Sequence, residues 1–391
     1  MRWSDRRWFD CQRVTGSDLD QQRAISPTML LYSDLLLMIS EHLREDPGSL
    51  NRICLTCQDA HATITKILYQ RVELHRARAI EMFCTTILEG RSTLRSIPQW
   101  LWIGPAHYGR HPEIVYLVSR LRRTLNLLPN LRVLTFTPTA KSFGEIYPGL
   151  LECPFKLKSF AAPYQTNLSF VQFLHHQPSI EILRLHDLDT EPPRALAIVK
   201  HINDNFSQTI LLPNLKLLAA DPRVISTLIV GRPVSHVEIS VGSCFSGNDD
   251  TLRQLVEALA QTSVPLVSLK HNLGNLRIHF WGTKFLHQLK TTGIKSTLKS
   301  LWVYLPIVMR PVFRTSSALG PMGAHISRTF GSQLDGFTCL NSFELSLGGF
   351  ALLDSSPEEI AEAFGDAGKL ETWKSYCDTL EQVTLYGVTL R

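Results

Sequence analysis

A few residues in this chain have the types and spacing that chemistry needs. Cys54-x-x-Cys57 is half of a tetrahedral zinc site. The other half would be a second Cys-x-x-Cys or a His-x-His pair, and none follows at a usable distance. Inside a helical stretch the two thiols read instead as small packing residues. His175-His176, ahead of Gln177-Pro178, closes another helical stretch. One imidazole reads as exposed and the other as packed, rather than as a metal ligand or general base. The run Gly242-Ser243-Cys244-Phe245-Ser246-Gly247 looks like a nucleophile turn but lacks the Gly-x-Ser-x-Gly register, so it reads as a loop after a strand. There is no phosphate-binding loop, no dinucleotide fingerprint and no His-Glu-x-x-His. These residues point away from an enzyme and imply no cofactor and no metal. A dispersed catalytic site is the rival class, and it would need a deep pocket lined by titratable groups.

The elements that carry these residues are set by composition and periodicity. The chain has 391 residues, 44% hydrophobic and only 19% charged, enough apolar surface for two or three cores or one elongated array. Its net charge of +5 is mild, and the densest basic cluster, Arg120-Leu121-Arg122-Arg123, lies on a helical pattern. Nucleic acid is therefore not an expected partner. No apolar run reaches the ~18 residues that span a bilayer, so no membrane is expected either. Residues 1–26 are charged throughout, without a secretory apolar stretch, and read as a disordered lead-in. The eight scattered cysteines then read as reduced thiols of an intracellular protein, cytoplasmic or nuclear. The glycosylation sequons at Asn167 and Asn205 carry no weight in that setting.

A spacing of Leu-x-x-apolar-x-apolar recurs along residues 94–391. It appears at Leu131/Leu134/Phe136, Leu157/Phe160/Ala162, Ile180/Leu183/Leu185, Leu215/Leu218/Ala220 and Val234/Val237/Ile239. It continues at Leu273/Leu276/Ile278, Leu298/Leu301/Val303, Leu340/Phe343/Leu345 and Leu380/Val383/Leu385. The closing apolar-x-apolar has the period of a strand with one buried face. Pro129, Pro154, Pro178 and Pro213, two or three residues ahead of the first four copies, stop whatever helix precedes. Between copies come helical stripes: Ile114, Leu117, Val118, Leu121 and Leu125, then Leu252, Leu255, Val256 and Leu259 behind Asp249 and Asp250. Ser356-Pro357-Glu358-Glu359 is a further helix start. One such unit cannot bury its own apolar face, whereas stacked units can. The pattern resembles the leucine-rich repeat family. It departs from that family in lacking the asparagine after the strand, in two copies that end in alanine, and in unit lengths that run from 19 to 42 residues. A doubly wound sheet is the competing reading, but it would need glycine-rich phosphate loops.

Ahead of the repeats, residues 27–74 read as three short helices. Leu35, Leu36, Ile39 and Leu43 mark the first. Pro47-Gly48 breaks the chain. Leu50, Ile53 and Leu55 mark the second, and Ala60, Ile64, Ile67 and Leu68 the third. So small a group makes a poor core alone and must lean on a partner or on the repeats. Leu31 with Asp34-Leu35-Leu36, then Leu55-Thr56-Cys57, then Leu68-Tyr69 and Val72-Glu73-Leu74, resemble in order an F-box of the fungal F-box/leucine-rich repeat type. Tyr32 replaces the usual proline and the usual tryptophan is absent.

The expected fold is thus α/β: a small all-α F-box-like module over 27–74, followed by an irregular leucine-rich repeat solenoid with a parallel sheet over 75–391. The resemblance implies a substrate-recognition subunit of a Skp–cullin–F-box ubiquitin ligase that does no chemistry itself. Leu31, Leu36, Ile39, Leu50 and Leu55 would bind the Skp-type adaptor. The target, a protein the sequence does not identify, would meet the solvent side of the strands. There the expected contacts are Arg184, His186, Arg277, His279, Trp281, Trp302, Tyr304 and Tyr386, rich in the arginine and aromatic side chains that anchor interfaces. The alternatives are that Trp281 and Trp302 pack under loops, and that the module only caps a repeat scaffold unconnected with ubiquitin.

Overall fold

The structure, a computed structural model, describes residues 27–43, 46–104, 111–137, 141–165, 167–186, 211–240, 249–272, 279–305, 319–347, 362, 364–385 and 387–390. The lead-in 1–26, the run 242–247, the helix start at 356–359, the triplet Leu273/Leu276/Ile278, Arg277 and Tyr386 lie outside the described residues. The chain divides into two compact units, Met1–Gln177 and Pro178–Arg391.

The first unit opens with α1 (Pro27–His42), α2 (Pro47–Cys54) and α3 (Gln58–Gln70). Pro47 does not merely break the chain. It sits in the first turn of α2, where its missing N–H costs nothing, and the Asp46 carboxylate accepts from the Gly48 and Ser49 amides at 3.1 Å. The Cys57 sulfur caps α3 by accepting from the Ala60 amide. Leu36, Leu50, Cys54, Ala60, Ile64, Ile67 and Leu68 close the module's core. α3 runs without a linker into β1 (Arg71–Leu74), the first strand of a parallel sheet. Then follow α4 (Ala77–Glu89), β2 (Trp100–Ile103), α5 (His111–Leu125), β3 (Val133–Phe136), a 3-10 turn at Lys141–Gly149, β4 (Ser159–Pro163) and α6 (Leu168–His175). β1–β4 pair in sequence order, with Val72 beside Leu101, Leu101 beside Leu134 and Leu134 beside Phe160. Behind the sheet Tyr147, Phe160, Phe170 and Phe173 form an aromatic core, with ring centroids 5.0 Å apart for Tyr147 and Phe170 and 5.3 Å for Phe160 and Phe173.

The second unit repeats the plan. It comprises β5 (Ile182–His186), β6 (Leu217–Ala220), α7 (Pro222–Leu228), β7 (His236–Ser240), α8 (Asp249–Leu259), β8 (Ser268–Asn272) and α9 (His279–Lys290). These are followed by β9 (Ser300–Leu305), α10 (Leu319–Leu334), β10 (Ser342–Leu347), α11 (Leu370–Lys374), β11 (Gln382–Leu385) and β12 (Val388–Leu390). β5 to β11 are parallel in sequence order, and only β12 turns back antiparallel on β11. The turn that allows this holds Gly387 at a φ of +91°, a conformation that side chains disfavour.

The repeat has a physical signature beyond its leucines. In eight of the copies, the carbonyl just after the opening apolar residue accepts two successive amides from the next copy. The Gln99 carbonyl takes the Arg132 and Val133 amides, Arg132 takes Lys158 and Ser159, and Glu181 takes Lys216 and Leu217. Lys216, Ser235, Val267, Lys299 and Asn341 continue the series. This ladder satisfies the backbone where each turn becomes strand and holds neighbouring copies in register. The opening residue and the two alternate strand residues after it point inward, and in copies from Leu131 to Leu385, His271 included, none is more than 2% exposed.

Three copies differ from the sequence expectation. Two precede it: Tyr69/Val72/Leu74 and Pro98/Leu101/Ile103 lead into β1 and β2. The third is a correction. The copy before β9 is Leu266/Leu269/His271, not Leu273/Leu276/Ile278, because the carbonyl ladder passes through Val267 and β8 ends at Asn272. His279 and Trp281, expected on a strand, therefore lie in the first turn of α9. The fold is otherwise the expected one: a small helical module and irregular strand–helix coils built on parallel sheets. No helix among the described residues is long and apolar enough to cross a membrane.

Candidate binding surfaces

The module offers one surface. In α1, Leu36 and Ser40 face inward, and the Ser40 hydroxyl donates to the Leu36 carbonyl one turn back. The opposite face carries Leu35, Met38 and Ile39, which are 54%, 63% and 40% exposed. Their spacing of three and four residues puts them side by side. Leu37 is also exposed, and Leu55, at the end of α2, is 59% exposed. The five residues expected to contact an adaptor thus divide. Ile39 and Leu55 are exposed, Leu36 and Leu50 are core, and Leu31 lies in α1 where its side chain is not described. Leu35 and Met38, not among the five, share the exposed face of α1 with Ile39. Five consecutive apolar residues, Leu35 to Ile39, hide from the sequence which of them face out.

The solvent face of the second sheet is the other surface. Successive strands bring Arg184, Ala219, Glu238, Lys270, Trp302 and Glu344 into one row, at the ~4.8 Å spacing of paired strands. The Lys270 ammonium pairs with Glu238 at 3.3 Å and sits 3.2 Å above the Trp302 ring. The indole N–H donates to Ser346 at 3.0 Å, and the Ser346 hydroxyl donates to Glu344 at 2.7 Å. Tyr304 meets Trp302 edge-on, with centroids 6.5 Å apart. Trp302 is therefore not packed under a loop by the described residues. It is half-buried on the sheet face, held by its own polar neighbours. On β5, burial holds the His186 imidazole below its ordinary range; the Arg184 charge adds to this and Glu238 opposes it. His279 and Trp281 are absent from this face, since both are helical. Lys270, Glu238, Glu344 and Ser346 escaped the sequence reading. Their signal was position alone: each alternates with an inward residue of a strand.

The first sheet has a comparable patch on β1 and β2, also missed. The Arg71 guanidinium lies 4.5 Å over the Trp100 ring, and His75 is 4.5 Å from the Trp102 ring. Glu73 pairs with Arg71 at 3.4 Å and with His75 at 3.5 Å. A Cβ at Gly104 would fall within 2.3 Å of Trp102, so only bare backbone lets that indole fold down.

The chemically suggestive residues have structural places. Cys54 is in the module core and Cys57 is a helix cap. His176 is exposed and its Nδ1 lies 2.7 Å from the Gln172 carbonyl. No group of three potential metal ligands occurs among the described residues.

No protein-family model matches the chain, and no curated protein matches it in sequence. Among solved structures, the TLR13–ssRNA13 complex aligns at 13% identity and a TM-score of 0.33, over 81% of this chain and 39% of that one. The yeast Rad7–Elc1 complex aligns at 11% identity and a TM-score of 0.31, over 84% of this chain and 92% of that one. The chain thus spans well under half the length of the first. Likeness this distant says nothing about what this chain binds.

Proposed function

We propose that the chain is a non-catalytic receptor of a Skp–cullin–F-box ubiquitin ligase. The module docks a Skp-type adaptor, and the repeat sheets hold a target protein inside the cell. The observation that carries this reading is the exposed row Leu35, Met38 and Ile39 on a module whose core closes without it. Isolated apolar side chains on a surface are ordinary, but three adjacent ones on a single helix face suit an interface. Being about half exposed, they would each contribute on the order of 1 kcal/mol on burial, a useful share of a contact that must also offset the cost of association. The receptor's contribution would be to raise the target's effective concentration near the ligase.

The test is capture of a Skp-type adaptor by the full chain. Ile39→Asp and Met38→Asp should each abolish capture while circular dichroism and melting temperature stay unchanged. Capture that survives both substitutions sinks the reading. A second reading, the module as an end cap of a scaffold, is favoured by the unbroken passage of α3 into β1. It predicts instead that the same two substitutions are silent and that no adaptor is captured.

A further inference from the structure

Of the two cations in the row across the second sheet, Lys270 has a counterion and Arg184 has none among the described residues. Glu238 is engaged by Lys270, and Glu344 accepts from Ser346. Arg184 makes no hydrogen bond or ion pair with any described residue, although it is half-buried on β5. A guanidinium has five donors in a fixed fork and cannot discharge by losing a proton. Leaving it half-desolvated and unpaired costs free energy that a ligand would recover. Beside it on β6 stands the small, buried Ala219, and beyond that Glu238 on β7. Four strands along the row, about 19 Å away by strand spacing, stands the immobilised indole of Trp302. Lys270 and Ser346 hold that ring, so using it as an anchor would cost little side-chain entropy.

We infer that Arg184 is a carboxylate-recognition site: it takes an Asp or Glu side chain of an extended target segment that crosses the strands towards Trp302. This rests on the proposal that the repeats hold the target. Charge matching selects a carboxylate over a phosphate. Burial and the Arg184 charge favour the neutral form of His186, which leaves one positive charge at the site. A phosphate group near −2 would demand a second cation, and Lys270 is committed to Glu238. A carboxylate needs only one bidentate fork.

The experiment uses the full chain and three immobilised pools of 12-residue peptides. The pools are randomised except at one central position, fixed as Glu, Gln or phosphoserine. Retention should be roughly tenfold or more stronger on the Glu pool than on the Gln pool, the difference expected of a charge-assisted bidentate pair. It should be no stronger on the phosphoserine pool. Arg184→Gln should remove the preference, Arg184→Lys should restore part of it, and both should melt like the parent. Equal retention on Glu and Gln, preference for phosphoserine, or indifference to Arg184→Gln would each overturn the inference. Adaptor capture measured on the same preparations separates this from the ligase reading. Lost capture with acid preference intact removes the ligase and keeps the site, and the converse removes only the site.

Discussion

At the scale of single residues, the least expected side chain is His271. It occupies the last inward position of its repeat, where other copies place Leu, Val, Ile, Phe or Ala, and its ring stacks on Phe285 with centroids 5.0 Å apart. Burial pushes its pKa down to about 3, against ~6.5 in an unfolded chain. Between those values the unfolded state binds the proton and the folded state does not. Stability is therefore full above about pH 6.5 and falls as pH drops towards 3. Melting temperature should decline between pH 7.5 and pH 5, and His271→Leu should decline less; parallel curves would show that His271 does not govern the acid sensitivity. Gln177 is the second residue of this kind. Fully buried, it accepts from the Leu157 amide at 2.9 Å and donates to the Phe155 carbonyl at 3.3 Å and to the Cys153 sulfur at 3.2 Å. Gln177→Leu removes all three of these hydrogen bonds from a closed core and should cost about 1–3 kcal/mol in urea unfolding. Neither role was legible in the sequence, because an imidazole or amide at an interior position has the same letter as one in solvent. The repeat spacing could have flagged His271 only if a polar residue had been admitted at a leucine position.

At the scale of elements, α1 shows how far patterning reaches and where it stops. The helix, its two successors and their order were legible from apolar spacing and the Pro47 signal. The inward face was not. Leu35, Leu36, Ile39 and Leu43 look like one stripe, yet the inward line passes through Leu36, Ser40 and the partly buried Leu43. Ser40 can be buried because its hydroxyl bonds the helix's own backbone, which makes a polar letter behave as an apolar one. Two substitutions of the same chemistry should therefore part company. Leu36→Asp places a charge in a closed core and should unfold the module, seen as lost helical ellipticity and a lower melting temperature. Met38→Asp on the opposite face should change neither. A comparable ellipticity loss from both would mean that the helix faces are misassigned.

At the scale of the whole molecule, stability is built from neighbouring copies. Within each unit, neighbouring strands pair in sequence order, and the carbonyl ladder links successive copies. Such an array loses structure locally when one copy is damaged. The sequence announced the array through its leucines, but not where it starts. The first copies open on Tyr69 and Pro98, which satisfy the interior without resembling leucine. Leu301 tests the consequence. It is fully buried in β9, beside Leu269 of β8 and Phe343 of β10. Leu301→Ala should cost about 2–5 kcal/mol. In native-state hydrogen exchange the loss of protection should fall on the amides of β8, β9 and β10, while those of β1, β2 and β3 in the other compact unit keep theirs. Acceleration of both sets by the same factor would mean that the two units unfold as a single cooperative body. Confinement to β8–β10 would mean that the second sheet can change shape without loosening the first unit.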